Sequence, residues 1–533
     1  MTYLISPISG HTPDDVLSHA RTALDAGAEA IELRLDLCGP YTVDDLRALR
    51  KAVPSNVPLI LTIRTIFEGG AWDDGDDVAI SKLIELGPMV DYIDVELSWW
   101  QGSANIRQKI GLALRRAGHF SQDGGREEID EAAPRKLILS RHDHTGRPPT
   151  LSSDLYLMCD EPACNVSKLA WRARTVRDNF ESFELMRSSP KPIIAICMGP
   201  HGVASRVLAK KFGAFGTFSA PAAGLETAAG QLTLAEMRAL YRWDSINRET
   251  AVYGLIGSPI AHSLSPAVHN AGFEAAGVNA VYLPFDVSPG YESFKAFMVE
   301  ALARPWLDLR GLSITIPHKQ NALRFLQEKG GALDDIAARV GAINTFRIEP
   351  DGRLDGLNTD YAAALDGICQ VLHCEPRQLR GKRAAILGAG GVARAVVAAL
   401  TDHGADVTIF NRTTDKAAAL AAEFGGRHQP WDRRGVIDAD LLINCTSVGL
   451  WPAVGESPMP EGVRNTKAAV FDTVYRPLQT RLLMEARQEG CRTMDGLSMF
   501  VHQAHAQFQY WTGRSVPAEG YRKAAIARVE GDV

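Results

Sequence analysis

Side chains able to attack carbonyl groups or exchange protons lie inside or just after apolar runs in the first half of the sequence. Lys168 lies within the run NVSKLA, where a charged ammonium is poorly solvated. An unprotonated amine can attack a ketone, and His142, after the run KLILS, is a candidate acid or base. Taken alone, Lys168 could equally rest its stem on apolar surface with its head in water, and His142 could be a structural hydrogen-bond partner.

A glycine-rich stretch in the second half could hold a dinucleotide. The run AAILGAGGVARAVVAAL, which begins at Ala384, predicts a strand, a glycine turn and a helix. In that context Gly388 permits a tight turn, and Gly390 lets the backbone approach a pyrophosphate. Gly391 and Ala393 leave room for close packing at the helix start. We therefore predict a dinucleotide-binding turn here.

The end of the next predicted strand indicates which nucleotide binds. An NAD site carries an acidic residue there, which binds the ribose 2′-hydroxyl. Asn411, Arg412 and Thr413 stand at this place instead, and a cation suits a 2′-phosphate. The sequence therefore predicts NADP, with Arg412 against the phosphate. The alternative is a surface arginine that follows a strand.

The elements that must position the first group of residues alternate between strand and helix patterns. Eight apolar or β-branched runs, separated by amphipathic stretches, predict eight parallel strands. They cover residues 3–6, 30–35, 58–64, 92–97, 136–140, 165–170, 192–197 and 215–219. Eight such units in about 250 residues match a closed (β/α)8 barrel, whose chemistry lies at the carboxyl ends of the strands. A polar stretch at 121–135 predicts a solvated excursion before the fifth strand.

Length and composition are those of a multidomain globular protein. The chain has 533 residues, of which 46% are hydrophobic and 23% charged, and its net charge is −6. No window is dominated by Lys and Arg, so neither nucleic acid nor an anionic membrane is expected as a partner. The eight cysteines are scattered without a C-x-x-C, which predicts reduced thiols and no metal site. No leader or membrane span is recognisable, so we predict a cytoplasmic protein that binds small molecules.

The first half resembles the type I 3-dehydroquinate dehydratase family over essentially its whole length. The motifs that carry the resemblance are IELRLD (31–36), TIRTIFEGG (62–70), LSRHD (139–143), the lysine of the sixth strand, MGPHGVASR (198–206) and TAAGQ (227–231). Several separate motifs in the family order make the resemblance specific. The sequence departs from the family at Ala229, where the family loop has proline, and this predicts a looser lid.

The resemblance implies a role for each of these side chains. Lys168 would form a Schiff base with the substrate ketone, and the cationic nitrogen would make the carbon 2 proton acidic. His142 would remove that proton and return it to the departing carbon 1 hydroxyl, while Glu68 orients the imidazole. Arg206 would bind the substrate carboxylate, since a planar guanidinium matches that group. The residues implied to bind hydroxyls or to close over them are Glu32, Arg34, Arg64, Thr227 and Gln231.

A second domain is expected after a short linker at 244–250. Its first motif, GSPIAHSLSPAVHN (257–270), places Ser265 before Pro266 at a predicted helix start. A serine at such a place either caps the helix or helps to bind a carboxylate. Both interpretations use the same geometry, and the sequence leaves them open.

Two further stretches bring polar residues together in the second half. The run GLSITIPHK (311–319) predicts a buried strand that leads to Lys319. The motifs GAINT and GLNTD flank a predicted hairpin, which would place Asn344, Asn358 and Asp360 close to one another.

From about residue 252 onward the sequence resembles the shikimate dehydrogenase family. Besides the motifs already named, the chain carries NCTSVG (444–449), FDTVYRPLQT (471–480), GLSMFVHQA (496–504) and WTG (511–513) in the family order. By this resemblance Lys319 moves a proton while hydride passes between the nicotinamide and substrate carbon 3, and Asp360 holds the lysine. The residues implied to bind the carboxylate are Ser263, Ser265 and Tyr475, those for ring hydroxyls are Thr315, Asn344 and Gln503, and Thr446 would contact the cofactor.

The two resemblances combine into one interpretation of the chain. We predict an α/β protein in which an N-terminal (β/α)8 TIM barrel is fused to a two-domain shikimate dehydrogenase-like unit with a Rossmann NADP-binding domain. The predicted boundaries are 1–245 for the barrel, 251–372 with 495–533 for the substrate-binding domain, and 373–494 for the nucleotide domain. The whole resembles the bifunctional dehydratase/dehydrogenase family of the shikimate route.

That resemblance implies dehydration of 3-dehydroquinate to 3-dehydroshikimate, followed by NADPH-dependent reduction to shikimate. In one alternative the barrel is a catalytically silent scaffold. In another, the second half oxidises quinate with either nucleotide. The resemblance implies shikimate rather than quinate, because family members that prefer quinate tend to lose one of the hydroxyls that this chain keeps at Ser263, Ser265 and Thr315. The discrimination is physically reasonable, since an unpaired buried hydroxyl is costly.

Overall fold

The computed structural model describes residues 2–115, 135–435, 437–460 and 468–531. The chain divides into two compact units, Met1–Thr250 and Ala251–Val533. The predicted polar excursion at 121–135 lies outside the described residues, except for Arg135. In the part of the chain that the structure describes, none of the helices combines the length and the apolar character needed to cross a membrane.

The first unit is a sheet of eight parallel strands that curls into a nearly closed barrel. The strands are β1 (Tyr3–Gly10), β2 (Ala30–Cys38), β3 (Leu59–Thr62), β4 (Tyr92–Glu96), β5 (Lys136–Asp143), β6 (Cys164–Arg172), β7 (Ile193–Met198) and β8 (Gly216–Phe218). Their spatial order is β7-β6-β5-β4-β3-β2-β1-β8. Next to β8, the Phe215 backbone N–H donates to the Ile193 carbonyl of β7 at 2.7 Å. All eight predicted strands form, and the predicted barrel fold is confirmed.

Helices connect the strands of this barrel. They are α1 (Pro13–Asp25), α2 (Val43–Ala52), α3 (Asp76–Leu86), α4 (Leu97–Gly102), α5 (Ala104–Arg115), α6 (Leu151–Asp160), α7 (Asp178–Ser188) and α8 (Val203–Val207). Capping boxes fix the starts of the first two. Thr12 and Asp15 form the first box, and Thr42 and Asp45 form the second.

Side-chain alternation along the strands builds the barrel interior in layers. One layer is apolar and takes a residue from each strand: Ile5, Ala30, Ile60, Tyr92, Ile138, Val166, Ile194 and Phe218. Because residues two apart on a strand share a face, the next positions also point inward. On five strands these are the buried polar residues Glu32, Thr62, Asp94, Ser140 and Lys168. A polar layer therefore lies directly on an apolar base.

The second unit contains two six-stranded sheets. The strands of the first sheet are β9 (Ala251–Gly257), β10 (Ala280–Asp286), β11 (Leu309–Ile314), β12 (Ala332–Leu333), β13 (Thr345–Ile348) and β14 (Leu354–Leu357). The order is β10-β9-β11-β13-β14-β12, and β13 runs antiparallel to both of its neighbours. The β13 and β14 strands form the predicted hairpin, in which Thr345 pairs with Leu357.

The second sheet of this unit is wholly parallel. Its strands are β15 (Arg383–Leu387), β16 (Asp406–Asn411), β17 (Arg427–Pro430), β18 (Leu441–Asn444), β19 (Ala469–Asp472) and β20 (Arg492–Met494). The order β17-β16-β15-β18-β19-β20 is that of a Rossmann sheet, whose order reverses at β15. This confirms the predicted Rossmann fold.

Ten helices of the second unit are described. They are α9 (Ser265–Ala275), α10 (Tyr291–Leu302), α11 (Lys319–Lys329), α12 (Asp335–Val340), α13 (Asp360–Leu372), α14 (Gly391–Asp402), α15 (Thr414–Phe424), α16 (Arg481–Gln488), α17 (Gly496–Thr512) and α18 (Ala518–Gly531). The α17 helix returns to the first sheet, where Trp511 Nε1 donates to the Phe346 carbonyl at 2.9 Å. The predicted domain boundaries stay predictions.

Candidate active sites

A pocket opens at the carboxyl ends of the barrel strands. The residues predicted for the barrel site all line it: Glu32, Arg34, Arg64, Glu68, His142, Lys168, Arg206, Thr227 and Gln231. His144, Phe218 and several small or apolar residues complete the wall. The fold thus gathers side chains from six separate motifs at one place.

Lys168 lies at the base of this pocket and is only 5% exposed. Its Nζ donates to Asp94 Oδ2 at 2.7 Å and to Glu32 Oε1 at 3.0 Å, and it lies 4.3 Å from the centre of the Phe218 ring. The alternative with the head in water is therefore wrong. The apolar surroundings expected from the sequence are also wrong for Nζ, because Glu32 on β2 and Asp94 on β4 supply carboxylates.

His142 and Glu68 form a buried pair beside the lysine. Glu68 Oε2 accepts from His142 Nδ1 at 3.0 Å and from the His142 backbone N–H at 2.9 Å. Burial, with repulsion from Arg64 and Lys168, holds the pKa of His142 well below its usual range. The imidazole is therefore neutral at neutral pH, and its Nε2 is free of a proton when Nδ1–H donates to Glu68.

The Glu68 carboxyl titrates near neutral pH. Burial raises its pKa to about 7, although the nearby Arg64 cation opposes that rise. His144 supports the same turn, because its Nε2 lies 3.0 Å from the Glu68 carbonyl oxygen. Protonation of Glu68 would remove the anion that orients His142.

The arginines of the pocket differ in how far their charge is already paired. Arg34 makes a two-pronged contact with Asp36, at 2.9 and 2.8 Å. Arg64 donates to Asp94 at 3.0 Å and to Ser140 at 2.9 Å. Its remaining contacts are to Glu96 and Glu68, at 3.3 and 3.4 Å.

Arg206 has no such partner among the described residues. It is 2% exposed, its Nη1 donates to the Phe218 carbonyl at 3.2 Å, and its Nε has no hydrogen-bond acceptor there. Burial without a carboxylate lowers the pKa of the guanidinium to about 10. A buried and uncompensated cation in a pocket indicates an anionic ligand.

A loop that carries Thr227 and Gln231 closes one side of the pocket. The Thr227 backbone N–H donates to Gln231 Oε1 at 2.8 Å. The Ala229 carbonyl accepts from the Gly199 N–H at 2.9 Å. The looser lid expected from Ala229 stays a prediction.

A second lysine–aspartate pair lies in the second unit. Lys319 begins α11, Asp360 begins α13, and the Lys319 ammonium donates to Asp360 Oδ2 with both side chains buried. Buried His318 fixes the preceding turn, since its Nε2 lies 2.8 Å from the Val287 carbonyl oxygen. Two helix starts thus present an acid–base pair at one point.

The predicted hairpin brings Asn344 beside this pair. Asn344 Nδ2 donates to Thr359 Oγ1 at 2.9 Å, and its Oδ1 accepts from the Thr359 N–H at 2.9 Å. Asn358 Oδ1 accepts from the Asp360 N–H at 3.0 Å. The expected closeness of Asn344, Asn358 and Asp360 is therefore confirmed.

The serine pair lies in the loop after β9. Ser263 Oγ and Ser265 Oγ are 3.2 Å apart, and Ser263 Oγ accepts from the Ser265 N–H at 3.2 Å. The helix begins at Ser265 itself, Leu264 precedes it, and no side chain caps the start. The capping alternative for Ser265 is therefore wrong, because the serine lies inside the first turn.

The other predicted ligands of the second unit lie near this loop. The Ser258 N–H donates to the Ile316 carbonyl at 3.0 Å, which ties the loop to the turn that contains Thr315. The Tyr475 ring packs on Phe500 with centroids 4.7 Å apart. Burial raises the pKa of the Tyr475 phenol, although the Ser263 hydroxyl opposes this, so the phenol stays a donor. Gln503 lies on α17, as Phe500 does, and its Nε2 donates to the Phe500 carbonyl at 3.0 Å.

The glycine turn lies at the carboxyl end of β15. Gly388 has φ +109°, and a Cβ there would lie 2.9 Å from the Cys445 carbonyl oxygen, so only glycine fits. Gly390 precedes α14 with open space at its Cβ position, and buried Ala393 packs in the first turn of that helix. A Cβ on Gly391 would lie 2.9 Å from Lys319 Cδ. The turn therefore adjoins the lysine.

Two further groups complete a surface that fits a phosphorylated dinucleotide. Thr446 donates through Oγ1 to Asn444 Oδ1 at 2.7 Å, beside the glycine turn. Asn411 Nδ2 donates to the Thr413 carbonyl at 2.9 Å, and between them Arg412 is exposed. The tight turn, the unobstructed start of α14 and the exposed cation fit a pyrophosphate and a 2′-phosphate.

The protein families that match this chain divide it into the same two units as the structure does. The family model of type I 3-dehydroquinase matches residues 5–248. The shikimate dehydrogenase substrate binding domain matches 255–346, the shikimate/quinate 5-dehydrogenase family 371–472, and the shikimate 5′-dehydrogenase C-terminal domain 496–526.

One curated relative covers almost the whole chain. It is the bifunctional 3-dehydroquinate dehydratase/shikimate dehydrogenase, chloroplastic, of Arabidopsis thaliana, which is 32% identical over 97% of this chain and 83% of the relative. The chain belongs to the family of bifunctional 3-dehydroquinate dehydratase/shikimate dehydrogenases. The predicted two-activity interpretation is thereby confirmed, and the alternative with a silent barrel is not favoured.

Other relatives match the dehydrogenase unit alone. The shikimate dehydrogenase (NADP(+)) of Moorella thermoacetica is 40% identical over 51% of this chain and 91% of its own length. The enzyme of the same name from Symbiobacterium thermophilum is 40% identical over 52% of this chain and 95% of its own length. Within the bifunctional family, this chain thus joins a lyase unit to an oxidoreductase unit.

Sequence reasoning missed several polar residues of the dehydratase unit. Asp94 and Glu96 lie on β4 and contact Lys168, Arg64 and Thr65. The signal was the alternation of acidic residues in the apolar run YIDVEL. In the dehydrogenase unit Gln507 was missed: its Oε1 accepts from Ser313 Oγ at 2.7 Å, which fixes α17 against β11.

Proposed function

We propose that the barrel unit dehydrates 3-dehydroquinate to 3-dehydroshikimate and that the second unit reduces this product to shikimate with NADPH. The proposed domains are 1–245 for dehydration, 251–372 with 495–533 for binding of the second substrate, and 373–494 for NADPH. Support for the first step comes from the single pocket that contains Lys168, His142 and Arg206. Support for the second comes from the Lys319–Asp360 pair beside the glycine turn.

In the barrel, Lys168 Nζ attacks the substrate ketone. Loss of water leaves a protonated imine, which withdraws electrons and makes the carbon 2 proton acidic. The neutral imidazole of His142 accepts that proton, and the electron pair forms an enamine. Return of the electrons expels the carbon 1 hydroxyl, which takes the proton back from His142 and leaves as water. Water then hydrolyses the imine and releases the product.

The side chains around Lys168 have separate roles in binding and orienting the reacting groups. Arg206 holds the substrate carboxylate, because its buried charge lacks a partner among the described residues. Glu68 keeps the His142 ring oriented through Nδ1. The remaining wall residues, which bind hydroxyls or close the pocket, are Glu32, Arg34, Arg64, Thr227 and Gln231.

In the second unit, Lys319 gives a proton to the substrate oxygen as the carbonyl becomes an alcohol. NADPH, when bound, supplies the hydride to the carbonyl carbon. Asp360 fixes the position of the ammonium through a buried ion pair. The carboxylate is held by Ser263, Ser265 and Tyr475, and the ring hydroxyls by Thr315, Asn344 and Gln503.

The groups that would hold NADPH lie along the carboxyl edge of the parallel sheet. Gly388, Gly390, Gly391 and Ala393 form the pyrophosphate turn and helix start. Arg412, flanked by Asn411 and Thr413, binds the 2′-phosphate, and Thr446 lies beside the turn. The name of the Moorella thermoacetica relative states NADP(+), which supports this choice. Among possible substrates the serine pair and Thr315 favour shikimate over quinate. A cytoplasmic location stays a prediction.

A coupled assay tests both steps at once. Purified protein is given 3-dehydroquinate and NADPH, and shikimate formation is followed with NADPH oxidation. We expect NADPH to be consumed only after 3-dehydroshikimate has formed, and a borohydride-trapped adduct at Lys168 by peptide mass mapping. Product formation without an adduct would reject the imine, and reduction of 3-dehydroshikimate without dehydration would support the scaffold alternative. A higher kcat/KM with quinate than with shikimate would reject the substrate assignment.

A further inference from the structure

Asp94 is a buried carboxylate that the proposed mechanism leaves unused. It lies on β4, it is 0% exposed, and its Oδ2 accepts from Lys168 Nζ at 2.7 Å. Its Oδ1 accepts from Ser140 Oγ at 2.5 Å and from Arg64 Nη2 at 3.0 Å. Asp94 thus contacts the Lys168 nitrogen but is not among the residues that line the pocket.

We propose that Asp94 is the permanent counter-ion of the nitrogen of Lys168, both as ammonium and as protonated imine. This inference rests on the proposed imine chemistry of the barrel. Asp94 is a positioning residue, since it acts on the substrate only through Lys168.

The charge balance of imine formation supports this role. An ammonium and a ketone give a protonated imine and one water, so the nitrogen carries one positive charge before and after the step. The ammonium has three N–H donors, whereas the protonated imine has one. Of the two carboxylates that now accept from Lys168, one must therefore lose its hydrogen bond.

The surroundings of the two carboxylates indicate which one is retained. Glu32 lines the pocket, and its Oε1 is shared between Lys168 and Thr62. It can therefore turn to a substrate hydroxyl. Asp94 is held at Oδ1 by Ser140 and Arg64, which leaves Oδ2 directed at the nitrogen. The single N–H of the imine then donates to Asp94.

The Asp94 carboxylate also keeps its charge throughout. Burial acts to raise its pKa, but the cations of Lys168 and Arg64 outweigh that effect and hold it at about 2. An anion fixed at this place favours the protonated imine, which is the form that acidifies carbon 2. Without the anion, the imine would lose its proton at a lower pH and stop withdrawing electrons.

The test is the pH dependence of imine trapping in Asp94→Asn, which keeps the shape of the side chain and removes its charge. Full-length protein is mixed with 3-dehydroquinate and cyanoborohydride, which reduces protonated imines, and the adduct at Lys168 is quantified by mass. We expect the alkaline fall in trapping to move to lower pH by about one unit or more, since an adjacent opposite charge shifts a pKa by that much. Dehydration should slow by about 10²-fold.

Glu96→Gln is the matched control. Glu96 lies on the same strand and contacts Arg64 and Thr65, and its oxygens have no hydrogen bond to Lys168 among the described contacts. In Glu96→Gln the fall in imine trapping at alkaline pH should occur at the same pH as in the wild type. An equal shift in Glu96→Gln would assign the effect to the general charge of the network and overturn the role of Asp94.

Two other results separate the inference from the function on which it rests. No adduct in the wild type would reject the imine itself. If Asp94→Asn forms the normal adduct and its trapping falls at the same alkaline pH as in the wild type, Asp94 is not the counter-ion. The proposed dehydratase function would not be affected by that result. If Asp94→Asn does not fold, as judged by thermal unfolding, Asp94→Ala replaces it. Asp94→Ala removes the same charge and should shift the alkaline fall in trapping in the same direction, so an unmoved fall there would also reject the proposal. Ser140→Ala keeps the Asp94 charge and serves only as a control.

Discussion

Each unit of the molecule places a buried lysine against a buried aspartate, and the two pairs are built differently. Lys168 and Asp94 point into the barrel from β6 and β4, and Glu32 and Arg64 extend the pair into a network of charges. Lys319 and Asp360 lie at two helix starts, and Asp360 is the only ionic partner of Lys319 among the described residues. The lysine–aspartate pair of the barrel therefore lies among several other charged side chains, whereas Lys319 has a single ionic partner among the described residues.

This difference fits the two kinds of chemistry proposed for the lysines. A nitrogen that becomes part of a covalent imine carries positive charge through several steps, so surrounding carboxylates stabilise it throughout. A nitrogen that passes one proton to a substrate oxygen needs a single partner, which positions it and leaves it free to release that proton. The environment, rather than the pair itself, distinguishes a nucleophile from a proton donor.

The largest expected effect comes from removing each lysine in turn. Lys168→Ala should lower the dehydration rate by about 10⁴-fold or more, because the covalent route is lost. It should leave reduction of 3-dehydroshikimate unchanged, and Lys319→Ala should do the reverse. Separate assays with each substrate on each variant measure this. Loss of both activities in either variant would show that the two sites are not independent.

The next largest effect should come from the groups that bind the substrate carboxylate, and it should differ between the two units. Arg206→Met removes a charged partner, and the KM for 3-dehydroquinate should rise by about 10²-fold, as for a hydrogen bond to a charged group of about 3 kcal/mol. Ser263→Ala removes a neutral hydrogen bond of about 1 kcal/mol, so the KM for 3-dehydroshikimate should rise by only about fivefold. Steady-state kinetics of the two variants give both numbers. Equal effects would contradict the distinction between a buried cation and a hydroxyl pair.

Thermal unfolding of the same Arg206 variant adds a control. An unpaired buried cation destabilises the ligand-free protein, so Arg206→Met should not lower its Tm. A clear drop in Tm would mean that the loss of binding reflects a damaged fold.

A smaller effect is expected where the second unit binds its nucleotide. Arg412→Ala should raise the KM for NADPH by about tenfold, as expected for one exposed charge-assisted contact, and should leave the KM for NADH unchanged. Dehydration should not change, because the barrel needs no nucleotide. Kinetics with both nucleotides test this, and an equal rise for NADH would assign Arg412 to the shared part of the cofactor.

At neutral pH the smallest effect is a pH dependence confined to the barrel. Because the pKa of Glu68 is raised to about 7, this carboxyl becomes protonated as the pH falls through that value. His142 then loses its anionic partner, so kcat/KM for dehydration should fall by up to about tenfold for each pH unit below it. In Glu68→Gln this acid limb should be absent, although the overall rate is lower. An identical limb in the variant would assign the titration to another group, and the reductase profile serves as control.

The fold, and the presence of the predicted barrel residues in one pocket, follow from the sequence, whereas the partners of the charged groups do not. The eight barrel strands and the glycine turn come from local patterns, which the structure reproduces. The contact of Lys168 with Asp94 depends on the register of β4, β5 and β6, which no local pattern encodes. Arg64 was expected to bind hydroxyls or to close over them, and no signal in the sequence indicated that its Nη2 donates to Asp94 and its Nη1 to Ser140, Glu96 and Glu68.

The close approach of Gly391 to the stem of Lys319 has a practical consequence for protein engineering. A library that varied the glycine turn in order to change the nucleotide preference would meet this contact. Here a Cβ at Gly391 would lie 2.9 Å from Lys319 Cδ, so any side chain added there would press on the lysine that we propose as proton donor. Selection for a new nucleotide would then also alter turnover, so mutagenesis is better directed at the far end of β16, where Arg412 points outward.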